Sequence, residues 1–504
     1  MDSLSVTLGV PLSTLKLLGT IVLAYPVAFL YRFLYLHPIN SPKAEAQRNL
    51  YIVLAGLGLS FFFSGKDVIH SLITVSFTWA TCYTLSKRRG LAVVICFVFN
   101  MAYLLGGYYS NSLDEYDITW TMPQCVLCLR MIGFAWDFYD GRQVYKERIT
   151  SVTDTNDRSK HDPETKPNVQ ISRPPSKAPI SFTDTALTTL PSYLETLGYS
   201  YFFGSFLIGP QFSFTLYKRF ITLQHLPKNG QIIPHGSYTR AIRCLIVGVI
   251  YLAAQQIIGA YYPVSYMVTE KFGELSFFRR FVYMWIAGKF VLNKYLGVWT
   301  LNEGSGALCG ISFNGYNESG TPCWDGLANI DVLKFEGATS LTKIIASFNM
   351  NTNNWSKLYI FKRMKFMGSK HISTFSTLFF LAIWHGVHPG YFICFATEFI
   401  DMLAEQIGSK LLAPYVNWMY AADDQSGKTF ICRKAHQAFT WFMTTTALYY
   451  AIIPFELLHF KPTMAAWKNL YFFGTIAVFG IIAINFIRLK LSPKRSPKLE
   501  TKKL

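Results

Sequence analysis

The sequence predicts an all-α fold, a polytopic transmembrane helical bundle of about eleven spans. Composition is the first reason. The 504 residues are 51% hydrophobic and 16% aromatic, and mean hydropathy is positive at +0.24. Charged residues make up 15%, against about 25% in typical soluble domains. The second reason is the recurrence of apolar runs long enough for a helix to cross about 30 Å of hydrocarbon. The third is a stretch in which two histidines and a Pro-Gly break interrupt such a run. Broken backbone at membrane depth is tolerated only inside protein or beside a cavity.

Taken in order, the apolar runs are 15–31, with Pro26 as a kink, then 50–63, 68–85 and 91–108, joined by short polar turns. Segment 120–136 is interrupted by Arg130 and ends in Asp137-Phe-Tyr-Asp140-Gly. Segment 142–180 is polar, bears prolines and has no apolar periodicity, so it reads as an exposed polar loop within a single 1–504 membrane domain. Segment 197–208 runs into Gly209-Pro210-Gln211-Phe212-Ser213, where Gly-Pro stops a helix and the glutamine needs a polar neighbour if buried. Strong spans follow at 241–262 and 277–298. Segment 301–341 is Gly- and Asn-rich, too polar to span and too aromatic for a plain linker. After the histidine helix come 391–403, 439–458 with Pro454, and 470–487. The tail 488–504 is basic and, by the positive-inside rule, expected in the cytosol. The first apolar run lacks a basic flank and a small-residue cleavage site, so no cleavable signal peptide is expected.

The net charge of +18 raises nucleic acid as a partner. So many apolar spans favour positive-inside loops and contact with anionic lipid or an anionic cofactor instead, and no nucleic acid is expected. Nine cysteines are irregularly spaced; Cys125 and Cys128 form a lone C-x-x-C inside an apolar run, a weak zinc or redox signal. Asn317-Glu-Ser is a formal glycosylation sequon that matters only in a lumenal loop. No internal repeat is evident, which weighs against a repeat-built transporter. Apolar faces turned to lipid carry no information on oligomeric state.

The chemistry-bearing stretch reads Phe-Leu-Ala-Ile-Trp384-His385-Gly-Val-His388-Pro-Gly-Tyr391. An ionisable group at membrane depth is a functional candidate by default, although a histidine satisfied by a neighbouring helix is the plainer reading of either one alone. His385 can serve as a general base. Upstream, Asn349 can donate a hydrogen bond to a developing oxyanion or orient the imidazole. Between them Lys357, Lys362, Arg363 and Lys365 form a cationic run suited to phosphates, or equally to topology and snorkelling. Base, donor and phosphate site together suggest group transfer from a phosphate-bearing carrier to a lipid. His385 and His388 at i, i+3 would be half a metal site, but no carboxylate or cysteine ligand is evident nearby, so no metal is expected.

Trp384-His385-Gly386-x-x-x-Gly390-Tyr391 resembles the signature of the membrane-bound O-acyltransferases. So does Asn349-x-x-Thr352-x-x-Trp355, with Phe348 where many members carry Trp. Trp120-Thr-Met-Pro123-Gln, Gly209-Pro210-Gln211-Phe212-Ser213, Trp324-Asp325 and Pro454-Phe-Glu-Leu-Leu are similar to the lysophospholipid branch of that family. The soluble-type glycerolipid acyltransferases use His-x-x-x-x-Asp, and none of the ten histidines here has Asp five residues on. The resemblance implies an endoplasmic-reticulum helical protein with an internal tunnel. Acyl-CoA would enter from the cytosol as co-substrate, with no cofactor, and the lysophospholipid from the bilayer. It also implies His385 as catalytic base and Asn349 as its partner. Trp384, Tyr391, Trp355 and Gln211 would contact substrate, and Lys362, Arg363 and Lys365 the CoA phosphates. His388 has no match in the signature and is expected to be a local hydrogen-bond partner within the substrate site. The implied reaction acylates the free sn-2 hydroxyl of lysophosphatidylcholine and related lysophospholipids. Lysophosphatidylserine, lysophosphatidylethanolamine, lysophosphatidylinositol, a protein or a sterol are the alternative acceptors. A transporter relaying protons through His385 and His388 is the reading from another class.

Overall fold

The computed structural model describes residues 3, 5, 7, 9–36, 41–111, 118–156, 182–230, 232–420 and 427–491. Among them the protein is helical, with one isolated β-bridge between Tyr316 and Pro322 and no strand. Four apolar helices open the chain: α1 (Leu12–Tyr35), α2 (Pro42–Ser64), α3 (Val68–Thr84) and α4 (Arg89–Ser110). Ser41 starts α2 by accepting the Ala44 N–H at 3.2 Å, with Pro42 at the first helical position, where its missing N–H costs nothing.

Helix α5 (Thr121–Asn156) runs on into the first part of the segment expected as an exposed loop at 142–180. Nothing from Arg142 to Asn156 is Gly or Pro, and Arg, Gln, Lys and Glu are good helix formers. Residues 157–181 of that loop lie outside the described residues.

The apolar segment 197–208 does not form one helix. Helix α6 (Tyr193–Ser200) ends early, and the chain passes through buried turns to α7 (Phe214–Ile221). The cause is Arg130 of α5, fully buried. Its guanidinium donates to the carbonyls of Tyr199 and Ser200 at 3.0 Å each, to the Ser205 carbonyl at 3.3 Å and hydroxyl at 2.9 Å, and to Pro210 O at 3.5 Å. A side chain that reads as an interruption of a span is the anchor of a folded-back wall. Cationic donors satisfying the last carbonyls of a helix act as its C-terminal cap.

Helix α8 (Ser237–Ile257) lies along α9 (Phe277–Cys309). Helix α9 continues well past the expected end at 298, until Gly310. The continuation looks polar in sequence, but its buried carboxylate and amide are paired from elsewhere in the chain. Glu303 is buried and ion-paired to Arg240, and Asn302 donates to the Gly209 carbonyl, so burial does not leave them unsatisfied. Short helices α10 (Leu341–Ser347) and α11 (Met350–Ser356) then lead to α12 (Lys370–His385), α13 (Pro389–Val416) and α14 (Gly427–Ala451). The apolar segment 439–458 breaks after Ala451 into a separate turn, Ile453–Leu457, started by Pro454. Helices α15 (Phe460–Asn469) and α16 (Phe473–Leu491) close the described chain, so the first residues of the basic tail are helical and 492–504 lie outside the described residues.

Among the described residues, five helical stretches are both long and apolar enough to cross a membrane: Leu12–Tyr35, Pro42–Thr84, Arg89–Ser110, Ser237–Val268 and Phe473–Leu491. Helix α13 is long enough but carries Glu398, Asp401 and Glu405 on its inner half. One buried cluster positions the histidine helix. It joins Leu104 of α4, Cys128, Leu129 and Ile132 of α5, Trp355 of α11, and Phe380, Leu381 and Trp384 of α12. In lipid such packing gains van der Waals contact rather than water exclusion, and the interlocked side chains fix the rotation of α12.

Candidate active site

Helix α12 delivers His385 as its last residue. Gly386 follows at φ 138°, a conformation other residues rarely adopt, and its N–H returns to the Ile383 carbonyl at 3.1 Å. Pro389 then opens α13. The Gly390 N–H donates to Leu458 O at 2.6 Å, and a Cβ at Gly390 would overlap the Pro454 carbonyl oxygen. The histidine thus sits on a turn clamped between two helix ends and the 453–458 segment, which explains glycines at both 386 and 390.

The His385 imidazole stands among aromatic rings. Phe395 stacks on it at 5.6 Å between centroids, Phe455 meets it edge-on at 5.0 Å, and Trp384 and Tyr391 lie at 4.6 and 5.7 Å. No hydrogen bond from the protein reaches its ring nitrogens among the described residues. Rings hold the imidazole by shape and leave its nitrogens for a ligand. His388 packs its ring on Tyr391 at 6.0 Å and on His459 at 5.3 Å. Phe395, Phe455 and His459 escaped sequence reasoning. The only signal was the Pro454-Phe-Glu-Leu-Leu match, which carried no hint that it folds onto the histidine.

Asn349 caps the start of α11 at φ 47°, ψ 44°, a left-handed geometry that asparagine tolerates. Its Oδ1 accepts from Asn329 Nδ2 at 3.2 Å. His385 and Asn349 face one cavity of about 1270 Å³, which Gln211, Trp384, His388 and Tyr391 also line. Small-molecule pockets run about 300–1,000 Å³, so this volume suits something larger, such as a lipid chain with its reaction partner. The Gln211 Oε1 atom is buried without a protein partner. The remaining walls are largely apolar side chains of α1, α5, α10, α12 and α13.

Trp355 stands behind the wall. It stacks on Phe380 at 5.6 Å and packs against Tyr359 at 5.3 Å, with its Nε1 buried and unpaired. Trp384 is tied by Nε1 to Cys125 O at 2.9 Å. The cationic run divides. The Arg363 guanidinium pairs with both Asp140 oxygens, at 3.3 and 2.6 Å, and lies 3.6 Å over the Trp136 ring. Lys357 lines the cavity. Partial burial, and then the charges of Lys357 and Lys365, hold Lys362 below the ordinary lysine range, so these three ammonium groups share one patch. Among the described residues no group of three or more His, Cys, Asp or Glu side chains is arranged to hold a metal ion. Cys125 and Cys128 are free thiols within α5.

The structure thus sets an imidazole and an amide on one lipid-sized cavity inside a helical bundle. The chain belongs to the membrane-bound O-acyltransferase family, whose family model matches residues 104–423. It is therefore a multi-pass membrane protein and an O-acyltransferase.

Among individual proteins, it is similar to lysophospholipid acyltransferase 5 of Mus musculus, 33% identical with 98% of this chain and 93% of that protein covered. The Drosophila melanogaster protein of the same name is 35% identical, with 81% and 74% covered. A lysophospholipid acyltransferase of Schizosaccharomyces pombe is 30% identical, with 99% and 91% covered.

Proposed function

We propose that the chain is an acyl-CoA-dependent lysophospholipid acyltransferase of the endoplasmic reticulum, acting on the free sn-2 hydroxyl of lysophosphatidylcholine and related lysophospholipids. The observation that carries the reading is the shared cavity: His385, at a helix break and without a protein hydrogen bond to its ring among the described residues, and Asn349 face the same lipid-sized space. The relatives' names supply the acceptor class.

His385 removes the proton of the glycerol hydroxyl as its oxygen attacks the thioester carbonyl. A C–O ester bond forms, the C–S bond breaks, and CoA leaves as thiolate, taking up the proton now held by the imidazole. General-base help is worth roughly 10²–10⁴-fold, and a donor aimed at the developing oxyanion about 10²–10³-fold. Asn349 supplies that donor or orients the ring. The apolar walls keep water from hydrolysing the thioester. The ammonium patch of Lys357, Lys362 and Lys365 suits the CoA phosphates, and no cofactor takes part.

The test is acyl transfer by the purified protein from a panel of acyl-CoAs to a panel of lysophospholipids. The expected result is CoA release matched to diacyl phospholipid formed, with lysophosphatidylcholine accepted. Absence of transfer to every lysophospholipid overturns the reading. Transfer to lysophosphatidylserine or lysophosphatidylinositol alone keeps the reaction and moves the acceptor.

A further inference from the structure

Segment 328–331 runs beside 347–351, and their backbones are laced together. Asp331 N donates to Ser347 O and Met350 N to Asn329 O, both at 2.9 Å. Within this lacing the Asn329 side chain, almost fully buried, divides its amide. Its Oδ1 accepts from the backbone N–H of Asn351 at 3.1 Å and from the Asn351 side-chain Nδ2 at 3.3 Å. Its Nδ2 donates to Asn349 Oδ1 at 3.2 Å. Asn351 Nδ2 also donates to the Ala328 carbonyl at 2.9 Å, which fixes which end of its own amide faces Asn329.

The polarity of the chain of bonds is therefore set from the backbone outward. The Asn351 backbone N–H can only donate, so the atom of Asn329 facing it must be oxygen. The other end of Asn329 must then be NH₂, and the atom of Asn349 it meets must be oxygen. The remaining end of the Asn349 amide, its NH₂, is left to the cavity that Asn349 and His385 share. Without Asn329, either end of the Asn349 amide could face the substrate. One end stabilises negative charge on the thioester oxygen and the other repels it.

We infer that Asn329 is a positioning residue for acyl transfer: it locks the Asn349 amide with its N–H donors toward the reacting carbonyl. The inference rests on the functional reading above. It goes beyond that reading by assigning a role to a residue in none of the family motifs found in the sequence. The mechanism predicts that polarity, not volume, matters at 329. Asn329→Asp keeps size and keeps the acceptor for Asn351, but it sets a second acceptor against Asn349 Oδ1. The Asn349 amide then turns over and presents its oxygen to the cavity.

The experiment measures acyl transfer by detergent-purified wild type, Asn349→Ala, Asn329→Asp and the double variant, with separate kcat and KM and a thermal unfolding scan. For Asn329→Asp the expected result is a kcat loss approaching the roughly 10²-fold expected of a lost oxyanion donor, with both KM values and the unfolding midpoint near wild type. Added to Asn349→Ala, the same substitution should cost nothing further, because the group it acts through is gone. Asn329→Ala, which removes all three side-chain bonds without reversing polarity, supplies the same cycle if the Asp variant does not fold. Wild-type kcat in folded Asn329→Asp, or a loss that multiplies with that of Asn349→Ala, overturns the inference while an inactive Asn349→Ala leaves the functional reading standing. Unfolding of both 329 variants assigns the residue to the scaffold and overturns it too. No transfer by wild type overturns the functional reading and the inference with it.

Discussion

Replacing Gly390 by alanine tests whether the turn carrying His385 is held by backbone contact. The added Cβ would overlap Pro454 O and lie 2.7 and 2.8 Å from the carbonyl oxygen and carbon of Leu458, where ordinary contact begins near 3.4 Å. All three are backbone atoms, so no side chain can rotate away. The two backbones must separate by roughly 1 Å, which also stretches the 2.6 Å hydrogen bond from Gly390 N to Leu458 O. A misplacement of about 1 Å at reacting groups costs on the order of 10²-fold in rate, and overpacking of this kind costs about 1–3 kcal/mol of stability. Leu458 holds an unfavourable φ of 60°, so the 453–458 segment gives first and carries Phe455 off the His385 ring. The expected outcome is a kcat reduced by about 10²-fold in protein that still folds. Gly408→Ala, on the same helix α13 with nothing within 4 Å of its added Cβ, is the control. It should keep full activity and gain a little stability, up to about 1 kcal/mol of helix propensity. Initial-rate acyl transfer and a thermal scan on both variants decide the matter. Wild-type kcat in Gly390→Ala would refute the close-approach argument.

Other perturbations separate roles. His385→Ala should lower kcat by about 10²-fold or more while leaving the protein folded, since the side chain makes ring contacts only; His388→Ala should be milder, and equal losses would point to a two-histidine site. Arg363→Gln should depress the thermal midpoint and spare the acyl-CoA KM, because its guanidinium serves Asp140 and Trp136; a selective rise in that KM would refute this assignment. Neutralising Lys362 and Lys365 together should raise the acyl-CoA KM more than the lysophospholipid KM at low salt, an effect that added salt erodes, and an unchanged KM would make the patch a topology signal. Arg130→Met should cost about 3 kcal/mol or more by stranding buried carbonyls, seen as a lowered melting point and loss of activity, and a wild-type melting curve would sink the anchoring role.

What the sequence made legible is what composition and local order encode. Helices α1 to α4 and α8 are apolar runs with short polar joints, and hydrocarbon thickness sets their length. The WHG stretch announced a helix end because glycine and proline act on the residues beside them. The misreadings share one cause, which is pairing across long sequence distance. Segment 197–208 is apolar, yet it folds into buried turns because Arg130 gathers the carbonyls of Tyr199, Ser200, Ser205 and Pro210. The stretch after Val298 reads as too polar to span, yet it stays helical to Cys309 because Arg240 pairs with Glu303 and the Gly209 carbonyl accepts from Asn302. Arg363 reads as a phosphate ligand from its cationic neighbours, but Asp140 on α5 pairs with it. In each case a polar group looks costly in its own window and is satisfied from another. A membrane interior makes that rule stringent, since an unpaired buried polar group there has no water to turn to. The same rule picks out the exceptions. On the cavity wall the His385 ring has no protein hydrogen bond among the described residues and Gln211 Oε1 is buried without one, while the Asn349 amide is held at its oxygen by Asn329. Such unspent hydrogen-bonding capacity on the wall of a lipid-sized space is where a polar reaction centre belongs. That is why the signature residues can be argued from the structure's own accounting as well as from their likeness to a family.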